Sequence, residues 1–448
     1  MNKLPITPLD AWIEKKINRK ENQRTREKIA DFQLEKLNET IVRARRLSPF
    51  YHRLWASCDK KPLSCLADLA AYPLTTAEDI KQSAAQMVCV SQSHINRVVT
   101  LNTSGTTGSP KRLYFTHADQ ELTIDFFRCG ISTFTTAADN VMILLPGERP
   151  GGVGALLWKA VQCIGAMPIS YGSVDKVPAA VEAMCKERAS CLVGVPVQVL
   201  AMARYWERWG KSAWRPANIL LSTDYIPAVL VRELERIWNC SVYGHYGMTE
   251  MGLGGGIECA AHDGYHLREA DLYFEIIDPV SLCPVPDGEY GEVVFTTLTR
   301  QGMPLIRYRT GDISKFIVGN CSCGSKLRRL ERIRNRLDSK VCIGNSEITM
   351  ADLDEAVFCL LGVIDFSAKV SQGDPVVLKV VVTILPNVFL FEEDAVLQML
   401  RKIPAICRAE EDGILFLQVE ITRQWSLLSG KRVIGTEAEK ENSKHVFE

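Results

Sequence analysis

Between about residues 85 and 260 the chain repeats one pattern, a short run of consecutive apolar residues followed by a longer amphipathic stretch. Val141-Met142-Ile143-Leu144-Leu145, Cys191-Leu192-Val193-Gly194-Val195, Ile219-Leu220-Leu221 and Ser241-Val242-Tyr243 are such runs. A strand that is apolar throughout has to be covered on both faces, and an intervening helix is the connection that parallel neighbours need. The pattern predicts an α/β fold with mixed, largely parallel sheets.

The flanks read differently. Residues 9–47 have helical periodicity with a heavily charged face, and Ser48-Pro49 breaks that helix. Tyr273–Ile277 and Glu292–Leu298 alternate around Pro284, Pro286 and Gly288, which predicts antiparallel pairing. Beyond 338 a small α+β unit is expected. Its elements are a helix from Asp352 to Leu361, a strand Val376–Leu385, a helix Glu392–Arg401 and a strand Ile414–Ile421, with a polar tail from Thr436. The expected division is a large N-terminal domain, 1–337, and a small C-terminal domain, 338–448.

Composition excludes several classes. With 53 Lys+Arg against 53 Asp+Glu there is no basic excess for nucleic acid. No apolar run approaches the roughly 18 residues of a membrane helix, and the N-terminus lacks a signal-peptide pattern. The 15 scattered cysteines suit a reducing cytoplasm, so a soluble cytoplasmic protein is expected.

Thr103-Ser104-Gly105-Thr106-Thr107-Gly108-Ser109-Pro110-Lys111 carries two glycines, five hydroxyls and a lysine between strand-like flanks. Such a loop suits a polyphosphate, whose oxygens its amides, hydroxyls and ammonium can embrace. It is not a Walker A loop, because Pro110-Lys111-Arg112 stands where that motif needs Gly-Lys-Ser/Thr. Further on come Tyr246-Gly247-Met248-Thr249-Glu250, Arg307-Tyr308-Arg309-Thr310-Gly311-Asp312, Arg336-Leu337-Asp338 and Gly430-Lys431. In this order the five segments resemble the motifs of the adenylate-forming superfamily of acyl-CoA synthetases, adenylation domains and luciferases. Ser48-Pro49-Phe50-Tyr51 and the run from Phe295 to Arg309 look like its phenylacetate-CoA ligase group.

The resemblance implies roles. Thr103 to Gly108 and Lys111 would hold the β- and γ-phosphates of ATP. Tyr246, with Gly247 and Met248, would flank the adenine, and Thr249 would bond the α-phosphate. Glu250 would hold Mg²⁺. Asp312 would accept from both ribose hydroxyls, as a carboxylate suits two adjacent donors. Arg336 would contact ribose or phosphate, Ser222-Thr223-Asp224 would lie against the adenine, and Asp338 would be the hinge. Lys431 matches the catalytic lysine, but relatives have further residues between Gly-Lys and the following Lys-Arg-Val. Either Lys431 serves from a shortened loop or that lysine is missing. The implied reaction is ATP-dependent ligation of a small carboxylate, aromatic in this group, to coenzyme A through an acyl-adenylate. The alternatives are an adenylyltransferase of the deazaflavin-modifying type with no CoA step, and a non-catalytic nucleotide-binding homologue. A homodimer is suggested by the resemblance alone.

Cys259, Cys321 and Cys323, with His266 or His262, form a candidate structural zinc set, since thiolates and imidazole together favour that metal. The run from Lys326 to Arg336 has six cations and one acid, read either as phosphate contacts beside the hinge or as solvated surface.

Overall fold

The computed structural model describes residues 4–17, 26–59, 61–101, 110–210, 214–337, 339–371, 373–386, 391–424 and 432–436. Thr103, Ser104, Gly105, Thr106, Thr107 and Gly108, the hinge Asp338 and the lysine Lys431 lie outside the described residues. The chain forms two compact units, each assembled from three stretches. The first takes 1–137, 148–166 and 243–333, and the second takes 138–147, 167–242 and 334–448.

In the first unit, helices Pro8–Ile17 and Arg26–Leu47 carry the predicted N-terminal periodicity. Ser48 caps the next helix, Pro49–Leu54, by accepting from Tyr51 N, and Pro49 sits at its first turn, where no N–H is needed. Strands Ile95–Leu101 and Lys111–Thr116 pair antiparallel with Leu101 opposite Lys111, so they bring the two ends of the phosphate-loop segment side by side. Helix His117–Ile131 starts on a capping box between Thr116 and Asp119. Leu272–Ile277, Gly291–Thr297 and Tyr308–Ser314 form the expected antiparallel sheet. Gly256–Glu258, Tyr265–Leu267 and Arg329–Leu330 pair antiparallel in turn. One apolar core, including Tyr51, Trp55, Phe115, Phe274, Phe295 and Tyr308, lies beneath these strands.

The second unit holds the parallel sheet that the apolar runs predict. Asn218–Leu221 lies beside Cys191–Gly194, then Asn140–Ile143, then Met167–Ser170, all parallel. Helices Val177–Lys186, Pro196–Trp209 and Ala228–Trp238 cross between strands. After residue 339 come the hairpin Lys340–Ile343 and Ser346–Thr349 and helix Met350–Val357. A sheet follows in the order Leu415–Thr422, Val376–Ile384, Val363–Ser371, Gly435–Thr436. These later elements share one apolar core with residues 142–242, in which Leu200 and Trp238 belong to the same cluster as Phe358 and Phe366. Polar clamps accompany it. The buried Arg204 guanidinium donates to the Phe358 carbonyl at 2.7 Å and to that of Val363. Glu355 accepts from Ala228 N and Val229 N at the start of helix Ala228–Trp238. Among the described residues no helix is long and apolar enough to cross a membrane.

Candidate active site and cysteine–histidine cluster

Five side chains from three distant stretches of the first unit come together. Glu250 sits on the turn Thr249–Met251 with 4% of its surface exposed. Lys111, at the start of its strand, donates its ammonium to Glu250 Oε1, and the Tyr308 hydroxyl approaches the same oxygen at 3.3 Å. Tyr246, the last residue of strand Ser241–Tyr246, is buried and donates its hydroxyl to Asp312 Oδ2 at 2.9 Å. Asp312 is itself 5% exposed on strand Tyr308–Ser314. In the sequence Tyr308 stands only as part of the Arg307–Asp312 motif, and its hydroxyl adds a contact to Glu250 to which the resemblance gives no role.

The turn after Tyr246 is built on close main-chain approach. A Cβ on Gly247 would stand 2.4 Å from the Leu253 carbonyl oxygen, a separation real side chains do not adopt. The Met248 carbonyl accepts from both Met251 N and Leu253 N, and Thr249 is left half-buried at the turn's start. Lys111 and Glu250 form an ion pair whose side chains are 17% and 6% exposed. A buried carboxylate that already has one cation against it retains lone pairs for a hard divalent ion, so the residues fit Mg²⁺.

The other nucleotide-side candidates belong to the second unit. Ser222 to Asp224 follow strand Asn218–Leu221, and Thr223 is held at φ +78°. For a β-branched residue that conformation is strained by about 1–3 kcal/mol and has to be fixed by its surroundings. Asp224 supplies part of the fixing, with Oδ1 accepting from Tyr225 N at 2.9 Å and Oδ2 from Arg432 N at 3.2 Å. The backbone of Arg336 closes on Ser339, whose hydroxyl donates to the Arg336 carbonyl at 3.0 Å.

Cys259, His266, Cys321 and Cys323 are all buried and place one ligand atom each within 4.8 Å of the others. Cys259 Sγ lies 3.7 Å from Cys321 Sγ, and Cys323 Sγ lies 3.6 Å from His266 Nε2. Tetrahedral zinc with Zn–S bonds near ~2.3 Å gives sulfur–sulfur edges of about 3.8 Å, so the set fits that ion. Burial pushes the Cys259 and Cys323 thiols up, so a zinc ion would have to displace their protons on binding, and it lowers His266 to about 4, leaving a neutral imidazole able to ligate. Gly324 at φ +90° and its N–H to the Cys321 carbonyl shape the Cys-Ser-Cys-Gly turn, while Ser325 N and Ala261 N donate to sulfur. Of the two candidate histidines the cluster takes His266. His262 instead stands against the Tyr243 ring, with Nδ1 3.9 Å from Glu258.

Half of the six cations of the basic run are committed to carboxylates. Arg332 binds the buried Glu258 through two bonds of 2.7 and 2.9 Å, Arg328 pairs with Asp287 and Arg329 with Asp263. Phosphate contact by the run as a whole has little support from that arrangement.

The profile of the AMP-binding enzyme family matches residues 56–299. The phenylacetate-coenzyme A ligase of Pseudomonas putida is 29% identical over 341 residues, covering 72% of this chain and 74% of that one. The Escherichia coli K12 enzyme of the same name is 27% identical, over 72% and 75%. Among solved structures, 2-hydroxyisobutyryl-CoA ligase in its postadenylation state superposes with a TM-score of 0.77 at 19% identity, over 91% of this chain and 90% of that one. The same ligase in its thioesterification state gives 0.65 at 21% identity, over 92% and 91%. Lys111, Tyr246 and Glu250 lie inside the matched family segment and Tyr308 and Asp312 follow shortly after its end at residue 299, and this chain belongs to the AMP-binding enzyme family, in the phenylacetate-CoA ligase-like branch of the adenylate-forming superfamily.

Proposed function

We propose that the chain is an AMP-forming acid–CoA ligase that activates a small, aromatic carboxylate. The observation that carries the reading is the convergence of Lys111, Glu250 and Tyr308 with the Tyr246–Asp312 pair inside one unit. A carboxylate oxygen attacks the α-phosphorus of ATP, and pyrophosphate leaves with the electron pair of the broken P–O bond. The CoA thiolate then attacks the acyl carbon and AMP departs. Both steps crowd anions together, so cations and aligned donors are the main requirement. Lys111 and the loop 103–108 hold the outer phosphates, Thr249 bonds the α-phosphate and Tyr246 borders the adenine. Asp312 takes the ribose, Arg336 and residues 222–224 contact the nucleotide, and Lys431 serves adenylation. Glu250 would hold magnesium, which would neutralise charge on the phosphates. Zinc held by Cys259, His266, Cys321 and Cys323 has a structural role, because four protein ligands leave no open position. Residues 338–448 act as the small domain, turning about Asp338 between half-reactions, a motion that has to part their apolar contacts with residues 142–242.

The test is ATP–pyrophosphate exchange with a pooled panel of aromatic and short-chain acids, followed by AMP release with and without CoA. Acid-dependent exchange with CoA-dependent AMP release is expected. Exchange indifferent to CoA points to the adenylyltransferase, and ATP binding with no exchange for any acid points to a non-catalytic homologue.

A further inference from the structure

The strand that carries Asp312 does not pair regularly with its neighbour. On one side of the irregularity Val294 faces Arg309 and Phe295 faces Tyr308; on the other, Glu292 faces Ile313 and Gly291 faces Ser314. Between these pairs Val293 alone stands against Thr310, Gly311 and Asp312, so one strand has two residues more than its partner. A bulge of this kind bends the strand, leaves ladder groups unpaired and re-aims the side chains it contains. Gly311 takes φ +76° to make the bend.

Two side chains satisfy the freed amides, Glu292 that of Gly311 and Thr310 that of Asp312. Glu292 is 1% exposed, and its Oε1 accepts from Gly311 N at 3.0 Å. Its Oε2 accepts from Arg309 Nε at 2.8 Å and lies 2.6 Å from Arg309 Nη2. A single carboxylate therefore pins the bulge both at its entrance and at its apex. The Thr310 hydroxyl completes the turn, donating to the Val293 carbonyl at 2.7 Å and accepting from Asp312 N at 3.0 Å. Emerging from this support, the Asp312 carboxylate meets the Tyr246 hydroxyl.

We infer that Glu292 is a positioning residue for Asp312, and that through the bulge it sets how strictly the enzyme reads the ribose hydroxyls of its nucleotide. The inference rests on Asp312 as the ribose-binding carboxylate. Glutamine at 292 has nearly the same shape but only one acceptor oxygen. Its amide would face a donor whichever way it turned, either Gly311 N–H or the Arg309 guanidinium. Aspartate keeps the charge for Arg309 but is one methylene shorter, which draws the oxygen away from Gly311.

The experiment measures dissociation constants by calorimetry for ATP, 2′-deoxy-ATP and 3′-deoxy-ATP, so it needs no knowledge of the acid. Hydrogen bonds to a charged acceptor predict that wild type binds ATP about tenfold or more tighter than the analogue lacking a recognised hydroxyl. Glu292→Gln and Glu292→Asp should compress that ratio to about threefold or less, and adding Asp312→Asn to either should compress it no further. Melting curves identify which variant folds, and Glu292→Asp carries the test if Glu292→Gln does not. A folded Glu292 variant with the wild-type ratio overturns the inference, as does equal weakening for ATP and both analogues, the mark of a merely structural role. Asp312→Asn with an unchanged ratio removes the ribose reading itself and the inference with it. Loss of the ratio in Asp312→Asn together with its retention in the Glu292 variants rejects Glu292 alone.

Discussion

Glu250 and Lys111 each need the other, because a carboxylate this buried has to be paired or neutralised. Lys111→Met alone strands the carboxylate and should lower unfolding stability by about 3 kcal/mol in urea titrations. The Lys111→Met, Glu250→Gln double variant should recover most of that loss. Glu250→Gln by itself should cut acid-dependent pyrophosphate exchange by on the order of 100-fold, through the lost metal anchor. Exchange at wild-type rate would remove Glu250 from the metal site. Both residues were legible as candidates in the sequence, Lys111 from the composition of its loop and Glu250 from the motif it shares with the resembled superfamily. Their pairing was not, since they lie 139 positions apart and no local pattern encodes a contact of that range. The same holds for Glu292, which precedes the Phe295–Arg309 run on its strand and acquires its role only from the bulge opposite.

Among the elements, the strands written as short apolar runs were the easiest to read, with ends within three residues of those observed. Strand Val363–Ser371 was missed for a physical reason. One of its buried positions is Asp365, which breaks the apolar run and is tolerated because Arg432, 67 positions later, donates to it at 2.8 Å. Helix Pro404–Glu411 was missed because it buries little, Ile406 and Ala409 being its buried residues. The Cys-Ser-Cys-Gly turn was legible as a candidate ligand pair and His266 as the favoured histidine, and strand register supplies the reason: His266 lies in Tyr265–Leu267, opposite Arg329. Protein purified without chelator should contain about one zinc per chain, with Cys323→Ser leaving under about 0.2 and a lower melting temperature. Zinc-free wild type that melts normally would end the assignment.

Whole-molecule stability should depend on the charge cluster in the second unit. Asp354 is raised to about 7 by burial, and the Asp224, Asp365 and Glu355 carboxylates push the same way while Arg432 opposes them. The folded state therefore keeps a proton that the unfolded chain releases near ~4, so stability falls as pH rises from about 4 to 7, by a few kcal/mol at most. His245, lowered to about 4 by burial and by Arg268, acts the other way, losing stability as pH falls through the same range. The diagnostic quantity is thus the difference between wild type and Asp354→Asn in urea midpoint, which should favour the variant more at pH 8 than at pH 5. A pH-independent difference would contradict it. The way the units are threaded has a further consequence, for synthesis. The apolar faces of helices Pro196–Trp209 and Ala228–Trp238 are finished by residues between 343 and 434. At about 5–20 residues per second, the interval between translating residue 242 and residue 434 is roughly 10–40 s. During that time a nascent chain bears half of a greasy core with no second half, which makes this protein a natural client for whatever shelters unfinished polypeptides at the ribosome.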